Sequence, residues 1–429
     1  MSQELVTEWS EIDNGLNIAD INDTYIKENM ARLMENQATK DLGSELLAEG
    51  FGTGVAGVNV SKTGGMPAGG PGNGVFAPIS MALVRRTFPA LFANKVVGVQ
   101  AMGTPIGLAY AIRYLYADGS NLEAGWDNVP KYSGFTGTTS GTSGTSADIG
   151  EAVTTAEAES WSIGQGATDK YPELSFRIDR QPIEAKTRKL ATSFSLEAAM
   201  DVKAMHNIDI ERELVNMIQY ELVAEQDRQI LQSMKKAAVR VGTMKTSDGA
   251  DLDGIDAGGE AVTTYNIATG DGRWSQEKFA NLITFIVDLA HKVAVKTRRG
   301  AGNFVVVSPR VATALQAAGP QFSRNTAMVG TETVFPEIGT INDSIKVYRD
   351  SYAADDYVLV GYKGPGISDC GIIYSPYVTG LTNRAIAQED FSPRIGVMSR
   401  YAITDTLLGS GRYYRFAKVS GLATLLTTV

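Results

Sequence analysis

Residues Met81 to Tyr116 read MALVRRTFPALFANKVVGVQAMGTPIGLAYAIRYLY. Two adjacent cations, Arg85 and Arg86, stand in an apolar run and are followed by Pro89. The spacing predicts a helix-like turn from Ser80 to Arg86 that stops near Pro89, and the aromatic, β-branched tail from Gly107 to Tyr116 predicts a strand. A guanidinium pair suits a phosphate clamp, but a clamp also wants a glycine-rich cradle beside it, and none adjoins these arginines.

On either side the text becomes poor in core material. Residues 50 to 74 are rich in glycine and proline, which predicts an extended arm. Of the 18 residues from Ser133 to Gly150, 14 are Gly, Ser or Thr, too polar to offset the entropy of ordering, so an exposed loop is expected there. Beyond it ELSFRIDRQ sets Leu174, Phe176 and Ile178 against Arg177 and Asp179, and IEAKTRKLATSFS continues in the same style. Two strands around a long tip predict a projecting hairpin over 107–195.

From 196 to 239 neither glycine nor proline occurs, and Ile208, Val215, Ile218, Leu222 and Leu231 recur near helical spacing. One long helix of roughly 40–60 Å is expected. SQEKFANLITFIVDLAHKV, with Phe279, Leu282, Ile286 and Leu289 on one face, leads to NFVVVS and PRVATALQAA, a helix–strand–helix pattern of an α/β lobe. SIKVYRD, DYVLVGYKG, CGIIYSPYV, IGVMSRYAIT and GRYYRFAKV follow as strands.

Charge is unevenly placed. Residues 1–49 carry eleven acids and three bases, net −8, whereas the whole chain of 429 residues is −9, so the other 380 residues net only −1. A near-neutral body suits self-association and lacks the basic excess of a dedicated duplex binder. Within the acidic segment, residues 20–42 place Ile26, Met30, Leu33 and Met34 on one face of a short amphipathic helix, capped by Asn22 or Asp23. No apolar run is long enough for a membrane span, and the N-terminus lacks the basic start and apolar block of an export signal.

Chemistry-bearing patterns are thin. His206 and His291 lie far apart on predicted helices with no paired-ligand spacing, and Cys370 heads an apolar β run, where a packed small residue is expected. No phosphate loop, dinucleotide fingerprint or nucleophile elbow occurs. Aligning Gly254 with the glycine of a calcium loop puts Asp251, Asp253 and Glu260 at ligand places, but Gly249 falls at the first, so the loop reads as a solvated acidic turn. Arg177, Arg180, Lys186, Arg188 and Lys189 are interleaved with Asp179 and Glu184, a mixture that suits another protein surface better than nucleic acid.

The Met81–Tyr116 stretch resembles the major capsid proteins of T-even-like tailed bacteriophages, in which a hydrophobic–Val–Arg–Arg segment, a proline and a Gly-Val-Gln-x-Met turn precede the first hairpin strand. YKGPGISDCGIIYSPYV (362–378) and FSPRIGVMSRYAI (391–403) resemble the same family and occur in the same order. The resemblance implies an α+β, HK97-like fold: an acidic N-terminal segment over 1–49, an arm over 50–78, entry to the shell body over 79–106, an extended hairpin over 107–195, a spine helix of a peripheral domain over 196–245, a mostly axial α/β domain over 246–390, and strands over 391–429 returning to the body. It implies a myovirus head protein with no active site and no cofactor. Copies would self-assemble as hexamers and pentamers, or with a separate vertex protein at the pentamers. Scaffold, head protease, portal and decoration proteins are the further partners, with DNA enclosed but not read by sequence, and no membrane. Arg85, Arg86, Arg177, Arg180, Lys186 and Arg188 become candidates for contacts between subunits.

The family also carries a folded insertion in the hairpin region, for which residues 117–170 are poor in apolar material. Its members lose an N-terminal segment after a hydrophobic–x–Glu sequence; Leu47-Ala48-Glu49 before Gly50 matches, as does Leu33-Met34-Glu35. A cut at Glu49 would remove −8 per subunit before polyanionic DNA arrives. Other readings stay open on the residues alone: an encapsulin-type protein compartment, an exported adhesin or glycan-binding protein, and a carboxylate enzyme on the α/β lobe.

Overall fold

The computed structural model describes residues 2–10, 18, 20–48, 84–85, 87–89, 91–116, 155–160, 174–240, 264–267, 274–319, 322–324, 335–366, 369–387, 392–407 and 409–422. Helix, sheet and mixed connections make it an α+β chain. Its helices are α1 (Ser2–Ser10), α2 (Thr24–Ala48), α3 (Ala93–Val96), α4 (Thr155–Ser160), α5 (Leu196–His206), α6 (Ile210–Ala237), α7 (Ser275–Thr297) and α8 (Pro309–Ala317).

A sheet of eight strands forms one lobe: β5 (Val239–Arg240), β14 (Tyr414–Ser420), β11 (Tyr357–Gly361), β7 (Phe304–Val307), β10 (Ile345–Arg349), β9 (Glu337–Ile341) and β8 (Phe322–Arg324) in spatial order, with β6 (Thr264–Asn266) also paired to β14. FVVV of β7 is apolar throughout because the sheet is covered on both faces. Val305 and Val307 pack with Leu282, Ile286 and Leu289 of α7 and Val311 and Leu315 of α8. Phe304 and Val306 join the other core with Ile230, Leu231 and Met234 of α6. Glycine is required where that sheet is tightest: a Cβ on Gly361 would sit 2.3 Å from the Phe304 ring.

A second sheet has the order β1 (Gly98–Val99), β12 (Ile372–Ile386), β13 (Pro393–Asp405) and β4 (Lys186–Ser193). The stretch containing Arg85 lies in the core beside these sheets. Val84, Phe88, Leu91, Phe92 and Val96 are all buried, and the Phe92 ring stacks on Phe335 at 4.5 Å and meets Tyr348 edge-on at 5.2 Å. A third sheet is the isolated pair β2 (Ile106–Tyr116) and β3 (Leu174–Glu184), eleven residues each and in register throughout.

Several expectations change. The single helix over 196–239 is two: Asn207 takes a left-handed conformation (φ 54°), closing α5, and Asp209 caps α6 by accepting from the Glu211 N–H. Short polar side chains break this helix without glycine or proline. The turn in the opening stretch stops near Pro89 as expected but extends past Arg86, since Thr87, Phe88 and Pro89 are helical and Leu91 is not. The strand over 174–195 is interrupted at buried Ala185, so β3 projects in the hairpin whereas β4 pairs with β13. Strand β12, within the stretch 246–390, pairs in the four-stranded sheet with β13 of the last stretch, while β14 of that last stretch enters the eight-stranded one, so the final strands return to both sheets.

The acidic segment departs most. Helix α2 runs six residues past Leu42, and Met30, Ala31, Leu33 and Met34 are fully buried in the core shared with β7, β12 and α6. The Gly/Ser/Thr tract, the calcium-like loop at Asp251, Asp253 and Glu260, and the arm over 50–78 lie outside the described residues.

Candidate functional site

Two places carry unusual chemistry, one exposed and one within the larger core. The first is the hairpin. Facing residues in an antiparallel pair share a face, so Leu108 with Pro182, Tyr110 with Arg180, Ile112 with Ile178, and Tyr114 with Phe176 make one continuous side. It is apolar and aromatic, yet Tyr110, Ile112, Phe176 and Ile178 are 62%, 56%, 70% and 58% exposed. Among the described residues no further strand backs these two to cover both sides. An exposed apolar area of this kind marks an interaction surface.

The opposite side sets Arg113 directly across from Arg177. Their repulsion is relieved by Asp179, two residues along the same face, which lies 2.9 Å from Arg177 Nε and 3.2 Å from Arg113 Nη1. The Arg177 hydrogen bond, aided by both charges, holds the Asp179 carboxyl below its ordinary value. Arg177 is therefore engaged within the hairpin, while Arg180 lies among the exposed rings of the other side.

The second place is the seat of α2. Tyr25, Asn29, Arg32 and Asn36 recur at spacings of four, three and four, one stripe along the helix. They meet the edge segment that opens as β1 and continues in extended form to Met102. The Tyr25 hydroxyl donates to the Val99 carbonyl and accepts from the Val99 N–H at 3.1 Å. Asn29 donates to the same carbonyl at 3.2 Å and accepts from the Ala101 N–H at 3.0 Å. Arg32 donates to the Ala101 carbonyl at 3.2 Å, and Asn36 to the Met102 and Tyr377 carbonyls at 2.7 and 3.0 Å. Burial raises the Tyr25 phenol, keeping it protonated. The sequence reading named only the apolar stripe of this helix; the 4–3–4 polar stripe next to it was the available signal.

The other candidate residues are dispersed. Arg85 Nη2 lies 3.3 Å from Asp20 Oδ2, inside the chain, and that carboxylate is largely exposed. Arg188 pairs with Glu225 of α6 and lies over the Tyr401 ring at 5.6 Å, clamping β4 to the body. Lys186 is exposed at the start of β4. Arg86, Glu49 and Gly50 lie outside the described residues. Leu33 and Met34 of the second hydrophobic–x–Glu match are buried within α2, so a protease would need that helix unwound.

Among the described residues, titratable groups meet at packed joints, such as Asp350 with Tyr357 and Lys235, and Asp369 with Arg299 and Tyr413. No group of three His, Cys, Asp or Glu is placed to hold a metal there. Cys370 is buried, lies 3.1 Å from the Ile372 carbonyl, and is pushed up to about 11 by burial, so it is a packed thiol. His206 and His291 are exposed. No helix among the described residues is long and apolar enough to cross a membrane.

Comparison with known proteins fits such a chain. The major capsid protein of Vibrio phage KVP40 is 27% identical, over 93% of this chain and 92% of that one. That of Enterobacteria phage T4 is 28% identical over 93% and 91%. The capsid vertex protein of the same phage is 23% identical over 58% of this chain and 57% of its own. Among solved structures, the capsid of Myoviridae phage XM1 overlays with a TM-score of 0.40 at 9% identity, covering 77% of this chain and 91% of that one, a likeness too loose to add to the assignment. The family model for the major capsid protein Gp23 matches residues 73–419, which take in both sheets, the hairpin and the spine helix, and the chain belongs to that family of structural capsid proteins.

Proposed function

We propose that copies of this chain tile, as hexamers and pentamers or with a separate vertex protein at the pentamers, into the closed icosahedral head of a tailed double-stranded DNA bacteriophage. The observation that carries the reading is the hairpin side formed by Leu108, Tyr110, Ile112, Tyr114, Phe176 and Ile178, apolar yet exposed on a projecting pair of strands. A second copy would cover it, meeting Arg180 among its rings, and the exposed Lys186 is a further contact candidate at the start of β4. Repetition by symmetry makes such modest contacts sufficient. Scaffold, head protease, portal and decoration proteins would act on the assembling shell, and the genome would be enclosed without sequence readout.

Electron cryomicroscopy of closed particles built from the chain tests this. The hairpin side is expected against a neighbouring copy, and Ile112→Glu with Phe176→Glu is expected to abolish particles while circular dichroism stays unchanged. A hairpin side open to solvent in closed particles, or normal particles from the double variant, overturns it. Removal of the acidic segment after Glu49 is a separate element. N-terminal mass spectrometry of mature particles should find chains beginning at Gly50, and chains beginning at Met1 or Ser2 would refute it.

A further inference from the structure

The extended segment that opens as β1 (Gly98–Val99) and continues to Met102 has two edges, and among the described residues only one is occupied by another strand. Gln100 N and Met102 N donate inward, to the Tyr374 and Pro376 carbonyls at 2.9 Å each. The alternate residues, Val99 and Ala101, turn their N–H and C=O groups the other way, as an edge strand in a sheet must. All four of those groups are taken by α2, and every bond comes from a side chain rather than from a backbone. Tyr25 reproduces on Val99 the double exchange that one residue of a neighbouring strand would make. Asn29 and Arg32 do the same on Ala101. The helix is a side-chain replica of an absent strand.

Its fit is incomplete in one place. Gln37, one residue beyond the end of the polar stripe, is fully buried, and neither atom of its carboxamide has a hydrogen-bond partner. Leaving such a group unsatisfied costs about 1–3 kcal/mol. That penalty is recovered if α2 leaves. A backbone strand would then satisfy Val99 and Ala101 without freezing four long polar side chains.

We propose that the Val99–Ala101 edge is a strand-addition interface between copies of this chain, held shut in each free subunit by α2. The occupant is an extended strand of a second copy. Two features favour it: the chain belongs to a family that builds shells of capsid protein, and the 380 residues outside the acidic segment net only −1, so the body that carries this edge presents little net repulsion to a second body. Main-chain pairing at an open edge supplies the affinity. The inference rests on the self-assembly reading above for the identity of the occupant, but not for the existence of the capped edge.

The test uses the full chain. Tyr25→Phe with Asn29→Ala removes the acceptors of both outward N–H groups and keeps the apolar anchors Met30, Leu33 and Met34. Hydrogen exchange at single-residue resolution should show the Val99 and Ala101 amides opening at least tenfold faster in dilute solution. Val306 and Leu359 of the sheet core serve as the folding control. Raising the concentration should produce dimers and larger species by mass photometry, with the two amides protected again in them. Adding Ala101→Pro deletes one outward donor without touching the bonds to β12, and should return the chain to monomers. Amides that stay protected in the dilute double variant overturn the cap. Failure to associate, association with both amides still fast, indifference to Ala101→Pro, or association only with a different protein each overturns the copy-to-copy interface. Shell formation by the unaltered chain, read separately by microscopy, tells failure of the edge from failure of the assembly reading.

Discussion

Replacing Asp350 should loosen the joint between the spine helix and the eight-stranded sheet far more than replacing its cationic partner. Asp350 follows β10, and its side chain is 5% exposed. One carboxylate oxygen accepts from the Tyr357 hydroxyl at 2.5 Å and the other from the Tyr352 N–H at 3.0 Å. Lys235 of α6 places its ammonium 3.6 Å from the first oxygen and 3.7 Å from the centre of the Tyr357 ring. Asp350→Ala strands a buried phenol, a backbone donor and an ammonium together, which should cost about 3–5 kcal/mol. Exchange of the core amides of β7 and β11 should accelerate by about a hundredfold or more, since each 1.4 kcal/mol is tenfold.

Lys235→Met should behave differently. Burial holds the Lys235 amine below its ordinary value of 10.5, outweighing the attraction of Asp350. A lysine with a depressed folded value binds protons more readily when unfolded, so it detracts from stability below that value and stops doing so as pH rises toward 10.5. Removing it should change exchange at pH 7 by less than about 1 kcal/mol in either direction, because Tyr357 and Tyr352 still satisfy the carboxylate. It should also flatten the rise in stability on the alkaline side. An Asp350→Ala variant within about 1 kcal/mol of the unaltered chain, or a Lys235→Met variant as damaged as Asp350→Ala, would refute the reasoning.

Leu33→Ala, at a fully buried site of α2, should lower the stability of the helix's seat by about 2–5 kcal/mol, seen as loss of amide protection from Val99 to Met102. An unchanged pattern would mean that α2 is not a core element. At the break between α5 and α6, Asn207→Gly should be nearly silent in thermal denaturation. Asn207→Val should cost about 1–2 kcal/mol because the left-handed φ of 54° suits glycine and asparagine but not a β-branched residue. In the hairpin, Asp179 is held below its ordinary 3.8 by Arg177 and Arg113, so its support is complete above that value and is lost as pH falls through the lower folded one. Intrinsic-rate-corrected exchange of β2 amides should show that loss in the unaltered chain and none in Asp179→Asn.

The lobes were legible where a residue's own chemistry settles its surroundings. FVVV has to be covered on both faces, and Phe279, Leu282, Ile286 and Leu289 have to be covered on one. The break at Asn207 was not legible, because asparagine is tolerable inside a helix and nothing in the local sequence announces its left-handed form. The hairpin alternation was visible, but its direction was not: Phe176 and Ile178 look like core residues until the two strands are seen to have no further strand behind them among the described residues. The seat of α2 was hidden for a related reason. Tyr25, Asn29, Arg32 and Asn36 read as ordinary surface residues of an acidic segment, and their role depends on an edge strand about seventy residues away. Arg85, conspicuous in the sequence as a cation in an apolar run, is a helical turn residue whose ion pair reaches back to Asp20 of that same segment.

Strand β14 lies between β11 on one side and β5 and β6 on the other, and Tyr414 and Ala417 are fully enclosed. The strand that joins β5 and β6 to the rest of the larger sheet is therefore supplied by residues 414–420, which a ribosome delivers after every other described strand. Until they emerge, β5 and β6 have no neighbour to pair with, and the Tyr357 and Val360 side of the sheet stands open. Prematurely terminated chains would carry that open side, aggregate or be degraded, and fail to match the intact subunits around them. A shell of many identical copies has no place for a faulty one, and this order of threading lets the subunit inspect its own completeness before it is offered for assembly.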